Sequence, residues 1–421
     1  MRRATARALT LLLGTLLCVL SLGAGSAHAE GESVKGTLRN EGEAVAGVTI
    51  AAEGSGGFSE ETESGADGTW EIPVPAPGPY TVSIDEDSLP DGVALRNADR
   101  TSLETTVAVG QQKTVLFALG EGTRRTTGTA GQALQLTVEG IRFGLILALG
   151  AVGLSLIFGT TGLTNFAHGE LITLGALVAY LFNVTFGIPL IPAALLTLIV
   201  CGLSAGLLDL GLWRWLRRRG TGLIAMMIVS IGLSLLARYF YLYLFGGANR
   251  SYADYAGQAG LSFGPVSLTP KDLVAMIVAI VVLVLVGLAL LKTRIGKATR
   301  AVSDNPALAS ASGIDVERVI QVVWVAGGVL AGLSGILLAL SQQVSFQLGF
   351  QVLLLVFAAV TLGGLGTAFG ALVGSLVVGL FVNVSTLIIP SELKNVGALG
   401  ILIVILLVRP QGLLGRAERV G

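Results

Sequence analysis

The stretch Thr161–Gly175, TGLTNFAHGELITLG, sets Asn165, His168 and Glu170 close together in a strongly apolar region. An amide, an imidazole and a carboxylate at this spacing can hydrogen-bond backbone that has left a helix, or touch a polar solute. Gly159, Gly162 and Gly169 loosen the local helix and let backbones approach closely. Non-helical backbone inside a bilayer is tolerated only where protein buries it or water reaches it. Two readings follow. One is a polar turn near the cytoplasmic side that merely packs; the other is a piece of a solute path or gate formed by Asn165, Phe166, Ala167, His168, Gly169 and Glu170.

Covalent chemistry has little to work with. The chain holds two histidines and two cysteines, and no H-E-x-x-H or G-x-x-x-x-G-K-[ST] pattern occurs in it. A catalytic residue, a metal ligand set and an ATP-binding loop are therefore not expected in this chain. Two charges lie within apolar runs. Arg238 reads as snorkelling or packing near an outer end, with a pathway role as the alternative. Asp209 is close enough in sequence to pair with Arg214 at the inner face. No string of buried carboxylates suggests a proton relay.

A second segment, KTRIGKATRAVSDNPALASASGIDVERVI from Lys292, carries helix punctuation. Asn305 is an N-cap followed by Pro306 at the first helical position. Gly313 suits the residue that stops the helix, and Asp315 can cap the next one. PALASAS between them makes about two turns, roughly 10 Å long. A short, small-sided helix on a loop can insert into a partner's groove. The competing reading is a basic surface loop with an incidental helix.

These segments need a scaffold, and composition indicates a membrane. Only 13% of the 421 residues are charged, against about 25% in soluble domains, and the mean hydropathy is +0.78. Leu273–Leu291 carries no charge and is long enough to cross ~30 Å of hydrocarbon. Val319–Ser391 also lacks any charge or histidine, and it is too long for one or two spans. About nine spans are expected: Val138–Phe158, Leu171–Phe186, Ile188–Leu212, Leu223–Phe245, Leu273–Leu291, Val319–Leu340, Phe350–Leu365, Phe369–Ile389 and Val396–Val408. The second, seventh and ninth are short. Arg214, Arg217, Arg218 and Arg219, then Lys292, Arg294, Lys297 and Arg300, then Arg409, Arg416 and Arg419 all fall on one side. The positive-inside rule makes that side, and the C-terminus, cytoplasmic.

Residues 1–29 read as a signal peptide, with Arg2, Arg3 and Arg7, an apolar run Ala8–Leu22 and the ending Ala27-His28-Ala29. Residues 30–119 change to short alternating runs, such as Trp70, Ile72 and Val74 and then Tyr80, Val82 and Ile84. About seven strands suit an exported β-sandwich, with Trp70 and Tyr80 in its core. Charge separates accordingly: 17 acidic and 5 basic residues lie between Glu30 and Gly122, and 10 and 22 in the remainder. Residues 120–131 form a polar linker, and 132–421 the membrane body. The fold class expected is thus an all-α polytopic membrane protein preceded by an all-β sandwich. Nothing points to nucleic acid.

The body from Val138 to Gly415 resembles the permease subunits of branched-chain amino acid ABC transporters of the LivH type. The resemblance rests on ALGAVGLSLIFGTTGLTNFAHGELITLGALVA, RAVSDNPALASASGIDVERVI, GGLGTAFGALVGSLVVG and RPQGLLG, in that order. Residues 30–119 resemble carboxypeptidase-regulatory-like domains. The permease resemblance implies import driven by ATP that two partner ATPase subunits use. It also implies a second permease subunit and an extracytoplasmic substrate-binding protein. It makes Ala301, Asp304, Asn305, Pro306, Ala309, Gly313 and Asp315 part of an ATPase-coupling loop, and Asn165–Glu170 the family's NFAHGE signature. Permeases for urea and short amides share much of this pattern. A membrane receptor or adhesion protein acting through the β-sandwich is the reading from another class.

Overall fold

A computed structural model describes residues 32–40, 43–54, 57–90, 92–95, 101–107, 112–117, 119, 129–255, 258, 260–388, 400 and 403. The signal peptide, most of the linker, the ninth span and the basic tail lie outside the described residues. The chain divides into two compact units, one of strands up to Thr127 and one of helices from Gly128 onward.

Among the described residues the β unit holds nine short strands: β1 Ser33–Thr37, β2 Arg39–Asn40, β3 Glu43–Ala44, β4 Thr49–Gly54, β5 Phe58–Glu63, β6 Thr69–Pro73, β7 Gly78–Ile84, β8 Ser102–Val107 and β9 Gln112–Thr114. They form sheets ordered β6-β1-β9 and β5-β4-β7-β8, with β2-β3 as a small hairpin. Strand alternation turns Val34, Ile50, Ile72 and Val82 inward, each fully buried. Trp70 and Tyr80 are buried in the same core. The turn before β6 is held by Asp67, whose Oδ1 accepts from Thr69 N at 3.1 Å and Thr69 Oγ1 at 2.7 Å. Those bonds hold the Asp67 carboxyl below its usual range.

The helical unit runs α1 Thr129–Thr161, α2 His168–Tyr180, α3 Leu190–Leu208, α4 Arg214–Arg218, α5 Leu223–Phe245, α6 Pro270–Lys292, α7 Arg294–Asp304, α8 Pro306–Ala311, α9 Val316–Gln342, α10 Leu348–Gly363 and α11 Ala368–Val384. One π turn, Leu181–Thr185, prolongs α2, and another, Asp209–Trp213, joins α3 to α4. A hairpin of β10 Leu261–Phe263 and β11 Val266–Leu268 lies in the segment between α5 and α6. Six helical segments, Ala130–Thr161, Leu190–Arg218, Leu223–Phe245, Pro270–Lys292, Val316–Gln342 and Ala368–Leu387, are long and apolar enough to cross a membrane. The protein is a multi-pass membrane protein. Six of the about nine expected spans are thus found among the described residues; the second and seventh correspond to α2 and α10, which have only 13 and 16 residues, and the ninth lies outside the described residues.

Helices α1 and α9 form the centre and are largely buried. They approach through small residues: Gly153 faces Gly327, and Ser334 Oγ donates to Ile146 O at 2.9 Å. Gly175 rests on Gly332, and Gly335 on the carbonyl of Ile172, bringing α2 onto α9. Close backbone approach of this kind replaces the hydrophobic drive that helices lack in lipid. Helices α5 and α6 turn most of their apolar surface outward, including Ile224, Leu236, Val274 and Leu285.

Candidate functional site

The polar stretch does not sit at the end of α1. After Thr161 the chain turns at Gly162 (φ 69°) and runs back without helix until His168 starts α2. His168 Nε2 donates to the carbonyl of Gly150 at 2.9 Å, about three turns back along α1 from Thr161. At 1.5 Å per residue this places the start of α2 roughly 16 Å up the helix. The expected turn near one face is therefore a broken segment inside the bundle. Asn165, His168 and Glu170 are 1%, 0% and 3% exposed. The break is internally satisfied in part: Asn165 Oδ1 accepts from Ala167 N at 3.1 Å, and His168 N donates to Asn165 O at 3.2 Å. Phe166 packs on Phe357 of α10, with ring centroids 5.0 Å apart.

A second short helix begins at the same place. Gly169 and Gly349 touch backbone to backbone, and a methyl on Gly349 would land on the carbonyl oxygen of Gly169. Thr173 Oγ1 accepts from Gly349 N at 3.0 Å. Two helix N-termini, those of α2 and α10, thus converge where Glu170 lies. Two buried acceptors there have no partner among the described residues, His168 Nδ1 and Glu170 Oε2.

Helix α5 completes the site, and apart from Arg238 sequence reasoning did not single it out. Met226, Ser230 and Ser234 are its buried residues, spaced by four, and Arg238 is the next in that stripe. Ser230 Oγ accepts from Phe166 N at 3.0 Å. Glu170 Oε1 accepts from Ser234 Oγ at 3.0 Å, and from Arg238 Nε at 3.3 Å and Nη2 at 3.0 Å. Tyr241 OH donates to Glu170 O at 3.2 Å. Arg238 also lies over the Phe350 ring, 3.6 Å from its centroid. Of the readings snorkelling, packing and pathway, snorkelling is set aside: the Arg238 guanidinium packs inward against a carboxylate on α2, three helices earlier in the chain. The Ser-x3-Ser-x3-Arg spacing was a visible signal, since i and i+4 share a helix face.

Residues 136–407 match the family described as branched-chain amino acid transport system/permease component. The chain belongs to that family. A LivH-type high-affinity branched-chain amino acid permease protein from Salmonella typhimurium is 29% identical over 297 residues, covering 68% of this chain and 96% of the relative. A probable LivH of Methanocaldococcus jannaschii is 32% identical over 67% of this chain and 92% of the relative. The BraD permease protein of Pseudomonas aeruginosa is 29% identical, covering 68% and 96%. No solved structure matches the chain.

In this permease the loop between α6 and α9 has the punctuation its sequence announces. Asn305 Oδ1 accepts from Leu308 N at 3.0 Å and starts α8. Gly313 follows the helix at φ 85°, where a side chain would be strained. Asp315 Oδ1 accepts from Arg318 N at 3.1 Å and starts α9. Ala301 and Asp304 lie in the last turn of α7, and Pro306 opens α8. Ala309 turns inward to Val302 and Val319, while Leu308 points away, 67% exposed. Beside this loop, fully buried Asp209 pairs with Arg217 at 2.8 Å and with Arg214 at 3.9 Å. Both arginines also reach Glu317 in the first turn of α9, at 2.8 and 3.2 Å. The expected Asp209–Arg214 pair is the weaker arm of a four-charge cluster. Trp213 stacks on Trp324 alongside it. Among the described residues no cluster of metal ligands occurs.

Proposed function

We propose that the chain is the membrane-spanning permease subunit of an ABC importer for branched-chain amino acids. The observation that carries this reading is the match to LivH-type permeases along 92–96% of their own length. In this reading a second permease subunit, two ATPase subunits and an extracytoplasmic binding protein are the partners. ATP binds to those ATPase subunits, and this chain holds no cofactor. The Ala301–Asp315 loop receives the ATPase stroke: α8 presents Leu308 to a groove, and the Val302–Ala309–Val319 contacts carry the displacement into α7 and α9. Moving α9 rocks the bundle between outward and inward access. Residues Asn165–Glu170 line the path, where broken helix supplies free backbone groups to a polar solute. The β unit stands outside and the arginine-rich loops face the cytoplasm, as their charge favours.

Uptake of labelled leucine tests this, in cells lacking the chain and in cells with it restored, with unlabelled valine and urea as competitors. Restored uptake blocked by valine, together with a copurifying ATPase, is the expected result. Uptake blocked by urea instead would move the substrate to amides. Neither uptake nor a bound ATPase would return the chain to a receptor role for the β unit.

A further inference from the structure

The stripe on α5 is polar where most of that helix is apolar and faces outward, and its polar groups meet the broken segment or the first turn of α2 that follows it. Ser230 holds Phe166, Ser234 and Arg238 hold the Glu170 carboxylate, and Tyr241 holds the Glu170 carbonyl. A buried ion pair is weak evidence for stability, because apolar residues of equal volume commonly serve as well or better. Ionised side chains inside a membrane instead mark solute or ion routes.

The pair is also incompletely used. Glu170 Oε1 takes three donors, whereas Oε2 is buried without a partner among the described residues. Arg238 spends Nε and Nη2 on Glu170, leaving Nη1 outside these bonds. Its side chain is 13% exposed, and Phe350 beneath it is 45% exposed. The charges therefore reach the edge of the subunit at the point where α2 and α10 begin. An unused carboxylate oxygen and an arginine fork are complementary to one ammonium and one carboxylate.

We propose that the α5 stripe is the second wall of the solute path, and that Glu170 and Arg238 receive the ammonium and carboxylate of a zwitterionic amino acid as α5 separates from the broken segment. Glu170 Oε2 accepts from the ammonium and Arg238 donates to the carboxylate, so each charge of the pair exchanges one ionic partner for another. No net charge is left bare in the bundle during that exchange, which an apolar solute or a single ion could not achieve. The proposal rests on the permease reading above and adds the wall and the chemistry of the head group.

Two measurements on the full chain, expressed with its partner subunits, decide it. Ser234→Cys is nearly isosteric, and native Cys201 is fully buried, so the native chain serves as the labelling control. A methanethiosulfonate ethylammonium reagent should modify Cys at 234 during turnover, and leucine should slow that modification. Modification in no state, while leucine uptake stays normal, would overturn the wall and leave the permease reading intact. Modification without any leucine uptake by the native chain would keep the wall and remove the leucine assignment. The second measurement is the kinetics of Arg238→Lys and Glu170→Gln. Loss of one charge-assisted bond predicts a KM for leucine raised about 10- to 100-fold, at unchanged membrane abundance. Competition by 4-methylpentanoate or isopentylamine, each lacking one of the two charges, should be correspondingly weak. A lowered maximal rate with unaltered KM would mark the pair as a structural tie and overturn its recognition role.

Discussion

At the scale of single residues, burial alone does not explain what the broken segment contains. His168 is fully buried and its side chain makes one bond, from Nε2 to Gly150 O, which leaves Nδ1 without a partner among the described residues. A purely structural position would be filled more cheaply by an apolar side chain. His168→Ala should therefore slow leucine uptake while membrane abundance stays at the native level; equal uptake rates in the two proteins would remove His168 from the path. Gly349→Ala tests packing at the same spot. The added methyl meets the Gly169 carbonyl with no room to yield, and overpacking of this kind costs about 1–3 kcal/mol. Thermal unfolding in detergent should shift downward, and an unchanged midpoint would contradict the close approach. The sequence shows the polar residues and the glycines, and Asn165, His168 and Glu170 are buried together at the start of α2. Their depth is not legible, because it follows from where α1 lies beside them. Nor is the partner of Arg238, since nothing local ties it to a carboxylate three helices earlier.

At the scale of elements, boundaries with their own chemistry are the ones the sequence reveals. Leu223–Phe245 is bounded alike in sequence and structure, between Gly222 and Gly246. Helix α8 is bracketed by Asn305-Pro306 and Gly313 for the same reason. The start of α2 has no side-chain cap, so nothing in the sequence separates its break from the end of α1. Gly313→Pro forces φ from 85° to about −65°, which the turn between α8 and α9 cannot accept. Transport should fall while basal ATPase activity persists; intact coupling would exclude the loop from the stroke. The Asp209–Arg214–Arg217–Glu317 cluster argues for a connected element, because it fastens the far end of α3 to the first turn after that loop. Removing Arg217 leaves buried Asp209 short of its nearest counter-charge, a loss of about 3–5 kcal/mol for a buried pair. Arg217→Gln should therefore lower both stability and coupling. Glu317→Gln, which touches the more exposed arm, should lower coupling with little loss of stability. Parallel losses in both variants would reduce the cluster to a structural clamp.

At the scale of the whole molecule, each unit contains its own core: Val34, Ile50, Trp70 and Val82 in one, and α1 with α9 in the other. The strand pattern was legible because period-2 alternation is local, as was the charge contrast between an acidic β unit and a basic helical one. The role of the short apolar segments was not, because α2 and α10 have only 13 and 16 residues, and only packing decides how such helices sit. The relatives named as permeases match this chain along nearly their entire length over 67–68% of it, and the family match begins at residue 136. The helical unit alone therefore corresponds to what those relatives consist of, and among the described residues its core is built from helical residues and the segments between them. Deleting residues 30–120 while keeping residues 1–29 should leave membrane insertion and ATPase association unchanged. Leucine uptake should stay within about twofold of native, below the roughly 1.4 kcal/mol that a tenfold change represents. Uptake abolished in a chain that still inserts and still binds its ATPase would place the β unit in solute delivery, the step a separate binding protein otherwise performs. Loss of insertion itself would mean that the helical unit depends on the strands to fold, against the separation of the two cores.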